Sequence, residues 1–226
     1  MKVALLSHTP DPERVCAAAA LTSYWYKGAS ETYDALTEEE IGNILDKVMG
    51  YGHVSVIEHA KFTFSIEDVS RACTHQLVRH RVASYTQQSQ RYVKVEELEP
   101  VIPPTVKSDP DALRLYNDAV ENIKAVYSKL VDLGIPNEDA RFILPNATRT
   151  NIVVTMNARE LRHFFKFRCC ERAQWEIREV ANRMLDICKS VAPKIFKRAG
   201  PTCVCEGRCP EGDLSCGRIK VSSNGS

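Results

Sequence analysis

Arg79-His80-Arg81 is followed, after the seven residues Val82 to Gln88, by Ser89, with Arg91 just beyond. No carboxylate lies between Asp68 and Glu96, so Arg71, Arg79, Arg81, Arg91, His75 and His80 concentrate positive charge in one segment. The whole chain carries 30 Lys plus Arg against 29 Asp plus Glu, a formal net charge of +1. Local charge in a neutral chain points to an anionic ligand held at one place. It argues against general adhesion to nucleic acid or acidic membranes.

The stretch YTQQSQR, with Ser84 before it, reads as a polar loop. Its amides and hydroxyls at Gln87, Gln88, Ser89 and Gln90 suit phosphate and ribose oxygens, and Arg91 adds a forked cation. A solvated surface loop is the alternative. Ser89 would act as a nucleophile only beside a positioned base, and no Ser-His-Asp/Glu elbow is visible, so ligand binding is the better reading.

Upstream, Gly52-His53-Val54-Ser55-Val56-Ile57-Glu58-His59 gathers a hydroxyl, a carboxylate and imidazoles. Its HxxxxEH spacing is not that of zinc enzymes, which leaves helix-end hydrogen bonding or a ligand contact. Downstream, Asn157 precedes Arg159 and His163, which share a helical face. Arg168 lies below Leu161, Phe164 and Phe165 on a mostly apolar face. A cation there needs a partner, either Glu171 or another carboxylate, or a ligand.

These groups must be positioned by surrounding elements. Residues 3–6 read as a strand and 15–26 as a helix. Thr37 and Glu40 form a capping box that opens a helix ending at Gly50-Tyr51-Gly52. Phe62, Phe64 and Ile66 alternate with Thr63 and Ser65, the mark of a half-buried strand. A helix over 69–81 would place Gln76, Arg79 and His80 at i, i+3 and i+4, bordering a cavity at the helix end. Compensation of the helix dipole by Arg and His is the alternative.

From Asp111, the stripe Tyr116, Ala119, Val120, Ile123, Tyr127, Leu130 and Val131 predicts an amphipathic helix ending at Gly134 and Pro136. A short helix over 137–144, a strand over 152–156, a helix capped by Asn157 running to about Cys170, and a last helix over 174–196 complete the pattern. The fold class is α+β, a twisted mixed sheet flanked by long helices. One domain spans 1–200, and a Cys/Gly/Pro-rich tail spans 201–226. There is no GxGxxG and no GxxxxGK[ST], so a nucleotide would be held by side chains and helix ends.

With 226 residues, 44% of them hydrophobic, the chain can bury a full core. The apolar run in MKVALLSHTPDPER is too short for a secretory leader, and no run reaches the length of a membrane span. Nine unpaired-looking cysteines predict a reducing, cytoplasmic setting. Cys203, Cys205, Cys209 and Cys216 lack paired CxxC knuckles and read as free thiols, so no metal site is expected.

RHRVASYTQQS resembles the RHRx7S signature of the flavin-dependent thymidylate synthases. GHVSVIEH, ARFILP, NARELRHFFKFR and AQWEI are similar to that family's other blocks, in the same order, over roughly residues 50 to 200. The first fifty residues match less clearly, and the cysteine tail lies outside the pattern.

The resemblance implies a homotetramer with active sites shared between subunits. It also implies FAD, with dUMP, methylenetetrahydrofolate and NADPH as reactants. Ser55, Arg79, His80, Arg81, Gln87, Asn157, Arg159 and His163 would contact FAD. Gln76, Arg79, Gln87, Gln88, Ser89, Gln90, Arg91, Arg141 and Arg168 would hold dUMP. Arg168 would polarise the uracil near N3 and make C5 more nucleophilic, with no cysteine nucleophile. Gln87 stands where some relatives carry a carboxylate, and Ser55 where some carry threonine.

Two other functions fit parts of the pattern. A regulator could keep the dUMP pocket without turnover. A metal-bearing nucleic-acid module could use the cysteine tail, although near-zero charge and the lack of aromatic-basic interleaving count against it.

Overall fold

The computed structural model describes residues 1–92 and 99–219. In chain order the elements are β1 (Lys2–His8), α1 (Pro12–Leu21), α2 (Ala29–Ala35), α3 (Glu38–Gly50), a 3-10 segment (Val54–His59), β2 (Lys61–Ser70), α4 (Arg71–Leu77) and β3 (Ala83–Gln87). There follow α5 (Pro104–Lys107), α6 (Pro110–Asp132), α7 (Asn137–Ala140), β4 (Arg149–Asn157), α8 (Ala158–Arg168), α9 (Trp175–Val191), α10 (Pro193–Phe196) and α11 (Thr202–Cys205). The sheet has four strands in the order β1-β2-β4-β3. The α+β class expected from the sequence is the one observed. No helix among the described residues is long and apolar enough to cross a membrane.

Contacts group the chain into two units. The first comprises residues 1–2, 66–79 and 85–153, and the second comprises 3–65, 80–84 and everything from Val154 onward.

The second unit holds an aromatic core. Phe62, Phe64, Phe164, Phe165 and Phe196 are fully buried, and Phe196 meets Phe62 edge-on with ring centres 5.6 Å apart. The capping box at Thr37 and Glu40 is present, with the Thr37 amide donating to Glu40 Oε2 at 2.8 Å. α8 begins where Asn157 Oδ1 accepts the Glu160 amide at 2.9 Å. Ala158 then donates its amide to the Ala60 carbonyl at 2.8 Å, which ties the start of α8 to the strand carrying Phe62 and Phe64.

In the first unit the N-terminal cap of α4 is Ser70, whose Oγ accepts the Cys73 amide at 3.0 Å. Arg71 donates its amide to the Thr148 carbonyl at 3.1 Å. The 23-residue α6 buries only Val120 and Tyr127 of its apolar stripe. Leu115 on the helix and Leu133 at its C-cap remain 67% and 78% exposed, apolar surface that the described residues do not cover.

Several expectations are corrected. Residues 69–81 are not one helix: β2 continues through Ser70, and α4 stops at Leu77, before Arg79 and His80. Asp68 explains part of the error, because its left-handed backbone (φ 57) kinks the strand while its amide still finds Asn151 Oδ1 at 3.0 Å. The first helix lies at Pro12–Leu21 rather than 15–26, and α2 carried no periodic signal. Ala83–Gln87 is a strand rather than loop, and the last long helix breaks at Ala192 before Pro193.

Candidate active site

His80 is the polar centre of the second unit, only 7% exposed although it belongs to no helix or strand. Its ring lies edge-on to Phe164 at 4.9 Å and to His163 at 5.8 Å. Arg168, the last residue of α8, donates from Nε to His80 Nε2 at 3.2 Å. A guanidinium can only donate, so Nε2 carries the lone pair and the neutral imidazole bears its proton on Nδ1. That nitrogen faces Glu160 Oε1 at 3.4 Å.

Burial, with Arg168 and His163 nearby, pushes the His80 imidazole down to about 4. Burial also pushes the Glu160 carboxyl above its ordinary range, against the pull of His163. The His80 contact to Glu160 is therefore that of a neutral ring facing a carboxyl group rather than an ion pair. Glu160, His80 and Arg168 thus stand in a row, with Arg168 tied to it through Nε. The alternative partner foreseen for Arg168 is engaged elsewhere: Glu171 pairs with Arg178 and Arg218, each at 2.7 Å.

Beside this chain lies a cleft of about 450 Å³ lined by Glu58, Val82, Asn157, Arg159, Glu160 and His163. Its size is that of small-molecule and cofactor sites. Arg159 and His163 share the exposed face of α8 as their spacing predicts, and Arg159 Nη1 meets Glu58 Oε1 at 2.5 Å. Of the residues expected at FAD, Asn157, Arg159 and His163 line this cleft and His80 packs against His163. Ser55, in the 3-10 segment, and Arg81 belong to the same unit and are exposed. Arg79 and Gln87 belong to the first unit.

The first unit contains the remaining residues expected at dUMP: Gln76, Gln88, Ser89, Gln90, Arg91 and Arg141. Gln87 sits on β3, and its Nε2 donates to Thr74 Oγ1 at 3.1 Å and Thr150 Oγ1 at 3.2 Å. Both threonines are buried, so the amide is anchored and its oxygen is the group it can offer. Gln88 donates its amide to the Asn151 carbonyl at 2.9 Å. Ser89 Oγ accepts the Arg91 amide at 3.2 Å, and among the described residues no imidazole or carboxylate is recorded accepting its proton. Arg91 forms a forked pair with Glu138, through Nε at 2.7 Å and Nη2 at 2.6 Å. Arg141 donates from Nε to the Glu138 carbonyl at 3.0 Å. Gln76 is half-buried on α4.

Among the described residues of this unit, Arg71 Nη1 and Gln90 Nε2 are buried side-chain donors with no acceptor. Burial and the neighbouring charge of Arg141 push the Arg71 guanidinium below its ordinary value. Neighbouring arginines with an unmet buried N–H have the chemistry to bind an anion with several oxygens. Arg71 is the residue that sequence reasoning placed in the charged segment but not in the site. Thr74, Thr150 and Glu160, which hold Gln87 and His80, carried no local signal either.

The comparisons with known proteins agree with one another. A family profile described as thymidylate synthase complementing protein (Thy1) matches residues 4–194, extending over the N-terminal fifty residues where the motif resemblance was weaker. A flavin-dependent thymidylate synthase of Geobacter sulfurreducens is 53% identical over 220 residues, 96% of this chain and 94% of the relative. A protein of the same name from Pyrococcus furiosus is 46% identical over 222 residues, 95% and 91% of the two chains. Among solved structures, a UMP/dUMP methylase, PolB, from Streptomyces cacaoi, bound with 5-Br dUMP, has the same fold. Its TM-score is 0.72 at 24% identity, covering 87% of this chain and 93% of that one.

Proposed function

Because the chain belongs to the flavin-dependent thymidylate synthase family, we propose that it methylates dUMP reductively to dTMP, taking the carbon from methylenetetrahydrofolate and reducing equivalents from NADPH through FAD. The observation that carries the substrate reading is Arg71, whose buried Nη1 meets no acceptor among the described residues and whose charge lies close to that of Arg141, an arrangement that a nucleotide phosphate would satisfy.

Arg71 and Arg141 meet the phosphate, and Gln87, Gln88, Ser89, Gln90 and Arg91 supply the remaining donors around the nucleotide, with Gln76 and Arg79 at its edge. Arg91 exchanges Glu138 for the ligand. Ser55, Arg79, His80, Arg81, Gln87, Asn157, Arg159 and His163 hold FAD, and the cleft along Asn157, Arg159 and His163 has the size and donors for part of it. When bound, the reduced flavin supplies the hydride that turns the transferred carbon into a methyl group.

Arg168 donates toward the uracil near N3, where it stabilises negative charge and raises electron density at C5. His80 and Glu160 keep its guanidinium in plane. Neutral His80 leaves the positive charge on Arg168 alone.

In this reading no enzyme thiolate takes part. Burial pushes the thiols of Cys16 and Cys169 up to about 12, and raises that of Cys188 as well, so these groups stay protonated and unreactive. The exposed Leu115 and Leu133 support association between copies of the chain; the assembly is read as a homotetramer with shared active sites, and the setting as the cytoplasm.

The test is direct. Protein reconstituted with FAD and given dUMP, methylenetetrahydrofolate and NADPH yields dTMP in proportion to NADPH consumed. Protein that binds no flavin and forms no dTMP overturns the proposal. Tight dUMP binding without NADPH oxidation would favour the regulatory reading instead.

A further inference from the structure

Cations gather at another place in the second unit, around a cavity that shares no lining residue with the cleft beside His80. Arg162 from the middle of α8 and Lys194, Lys197 and Arg198 from α10 and its end line a space of about 250 Å³. Asp46 is the one carboxylate among its lining residues. A water molecule takes up roughly 30 Å³ of the liquid, so a phosphate group fits with part of its hydration.

The packing of α10 explains how the cations come to stand together. Ile195 and Phe196 are fully buried, while Lys194 is half-buried and Lys197 and Arg198 are exposed. Arg162 Nη1 donates to the Ile195 carbonyl at 2.6 Å, which ties α8 to α10 and sets the guanidinium at the cavity.

The four cations differ in how they are answered. Lys194 lies between Glu38 Oε2 at 2.5 Å and Glu13 Oε2 at 3.4 Å, and Lys197 meets Asp46 at 3.3 Å. Those pairs belong to the fold. Among the described residues Arg162 is bonded to a carbonyl rather than a carboxylate, and no carboxylate pairs with Arg198. Burial pushes the Arg162 guanidinium below its ordinary value, as for a cation held from water without a counter-charge.

We propose that this cavity binds a phosphomonoester dianion between the guanidiniums of Arg162 and Arg198, with Lys197 turning from Asp46 to the ligand. Forked N–H groups match an anion with several oxygens, and two guanidiniums from separate segments fix its orientation. The Lys197 pair with Asp46 is exposed, 62% and 64%, and exposed pairs exchange partners at little cost.

Two sources supply such a group. One is the 2′-phosphate of NADPH, an assignment that rests on the function proposed above. Arg162 and His163 are adjacent on α8 and line the cavity and the flavin cleft respectively, so a dinucleotide reaching the flavin meets both. The other is free phosphate, bound as an effector.

The experiment uses the full chain loaded with FAD and saturated with dUMP, and follows binding by calorimetry. Inorganic phosphate is titrated first. Adenosine 2′,5′-bisphosphate is then compared with adenosine 5′-monophosphate, which lacks only the 2′-phosphate. The expected result is one phosphate site per chain, weakened about 10- to 100-fold by Arg198→Ala and retained in Arg71→Ala. Gly50→Glu should weaken it similarly by placing a carboxylate at the cavity. Nothing lies within 4 Å of where a Cβ at Gly50 would stand, so that variant tests the site without disturbing the Arg162 tie to Ile195. Bisphosphate bound about 10-fold or more tighter than monophosphate, with the gain lost in Arg198→Ala, assigns the site to NADPH. Equal binding of the two, with the phosphate site intact, assigns it to free phosphate. No phosphate site, a site indifferent to both Arg198→Ala and Gly50→Glu, or glutarate bound as tightly as phosphate would overturn the proposal. Binding is read without turnover, so a protein that forms no dTMP leaves this result standing on its own.

Discussion

The two units solve the problem of buried polar groups in opposite ways. Around His80 each group answers another: Arg168 donates to the ring and the ring faces Glu160, with His163 and Phe164 against it edge-on. In the first unit the account does not close, because among the described residues Arg71 Nη1 and, separately, Gln90 Nε2 have no acceptor, and Arg141 adds like charge to Arg71. A self-satisfied cluster holds one side chain in a set orientation. An unsatisfied one leaves donors for a ligand, which the proposed function makes an oxygen-rich anion. Positioning and anion capture are thus divided between different parts of the sequence.

The comparison is broken most severely at its first member. Arg168→Ala should lower turnover by about 10²- to 10³-fold, the usual loss for a donor that stabilises developing charge, while flavin stays bound. Steady-state rates set beside flavin stoichiometry check this, and unchanged turnover at saturating substrates refutes the activating role.

The second member is tested by Arg71→Ala, which should weaken dUMP binding by about 10- to 100-fold, the worth of a charged hydrogen bond. Titration with deoxyuridine alongside dUMP sharpens the assignment, since the variant should cost nothing toward a ligand lacking phosphate.

Smaller effects separate anchoring from contact. Thr150→Val removes one of the acceptors that hold Gln87 and should cost about 0.5–1.5 kcal/mol in dUMP binding. Ser89→Ala should cost a similar amount without abolishing activity; an inactive variant with dUMP normally bound would restore the nucleophile reading.

The weakest effect is one of pH. His80 titrates near 4 in the folded protein but near its ordinary 6.5 when unfolded, so the unfolded chain binds the extra proton between those values. Its contribution to stability is intact above about 6.5 and is lost as pH falls toward 4. Glu160, with a raised carboxyl, opposes this by taking its proton earlier when folded. Urea midpoints at several pH values for the natural chain and His80→Gln should show the acid loss reduced in the variant.

How much of this was legible beforehand follows the range of the interactions. The Asn157 cap, the Thr37 capping box and the shared face of Arg159 and His163 depend on residues three or four apart, and each appears as expected. The continuous helix over 69–81 was misread because an apolar pattern near Val69 and Cys73 belongs to a kinked strand followed by a short helix. Gln87 is held by Thr150, 63 residues away, and His80 by Arg168, 88 residues away, distances over which spacing carries no information.

The central claim, that this chain reduces and transfers one carbon to dUMP through a flavin, is tested most directly by one anaerobic titration. FAD-reconstituted protein reduced with a single equivalent of NADPH is mixed with dUMP and methylenetetrahydrofolate, and the flavin absorbance is followed while products are quantified. The predicted result is return of the oxidised flavin spectrum with one equivalent each of dTMP and tetrahydrofolate. Flavin that stays reduced, or dTMP accompanied by dihydrofolate, would contradict it.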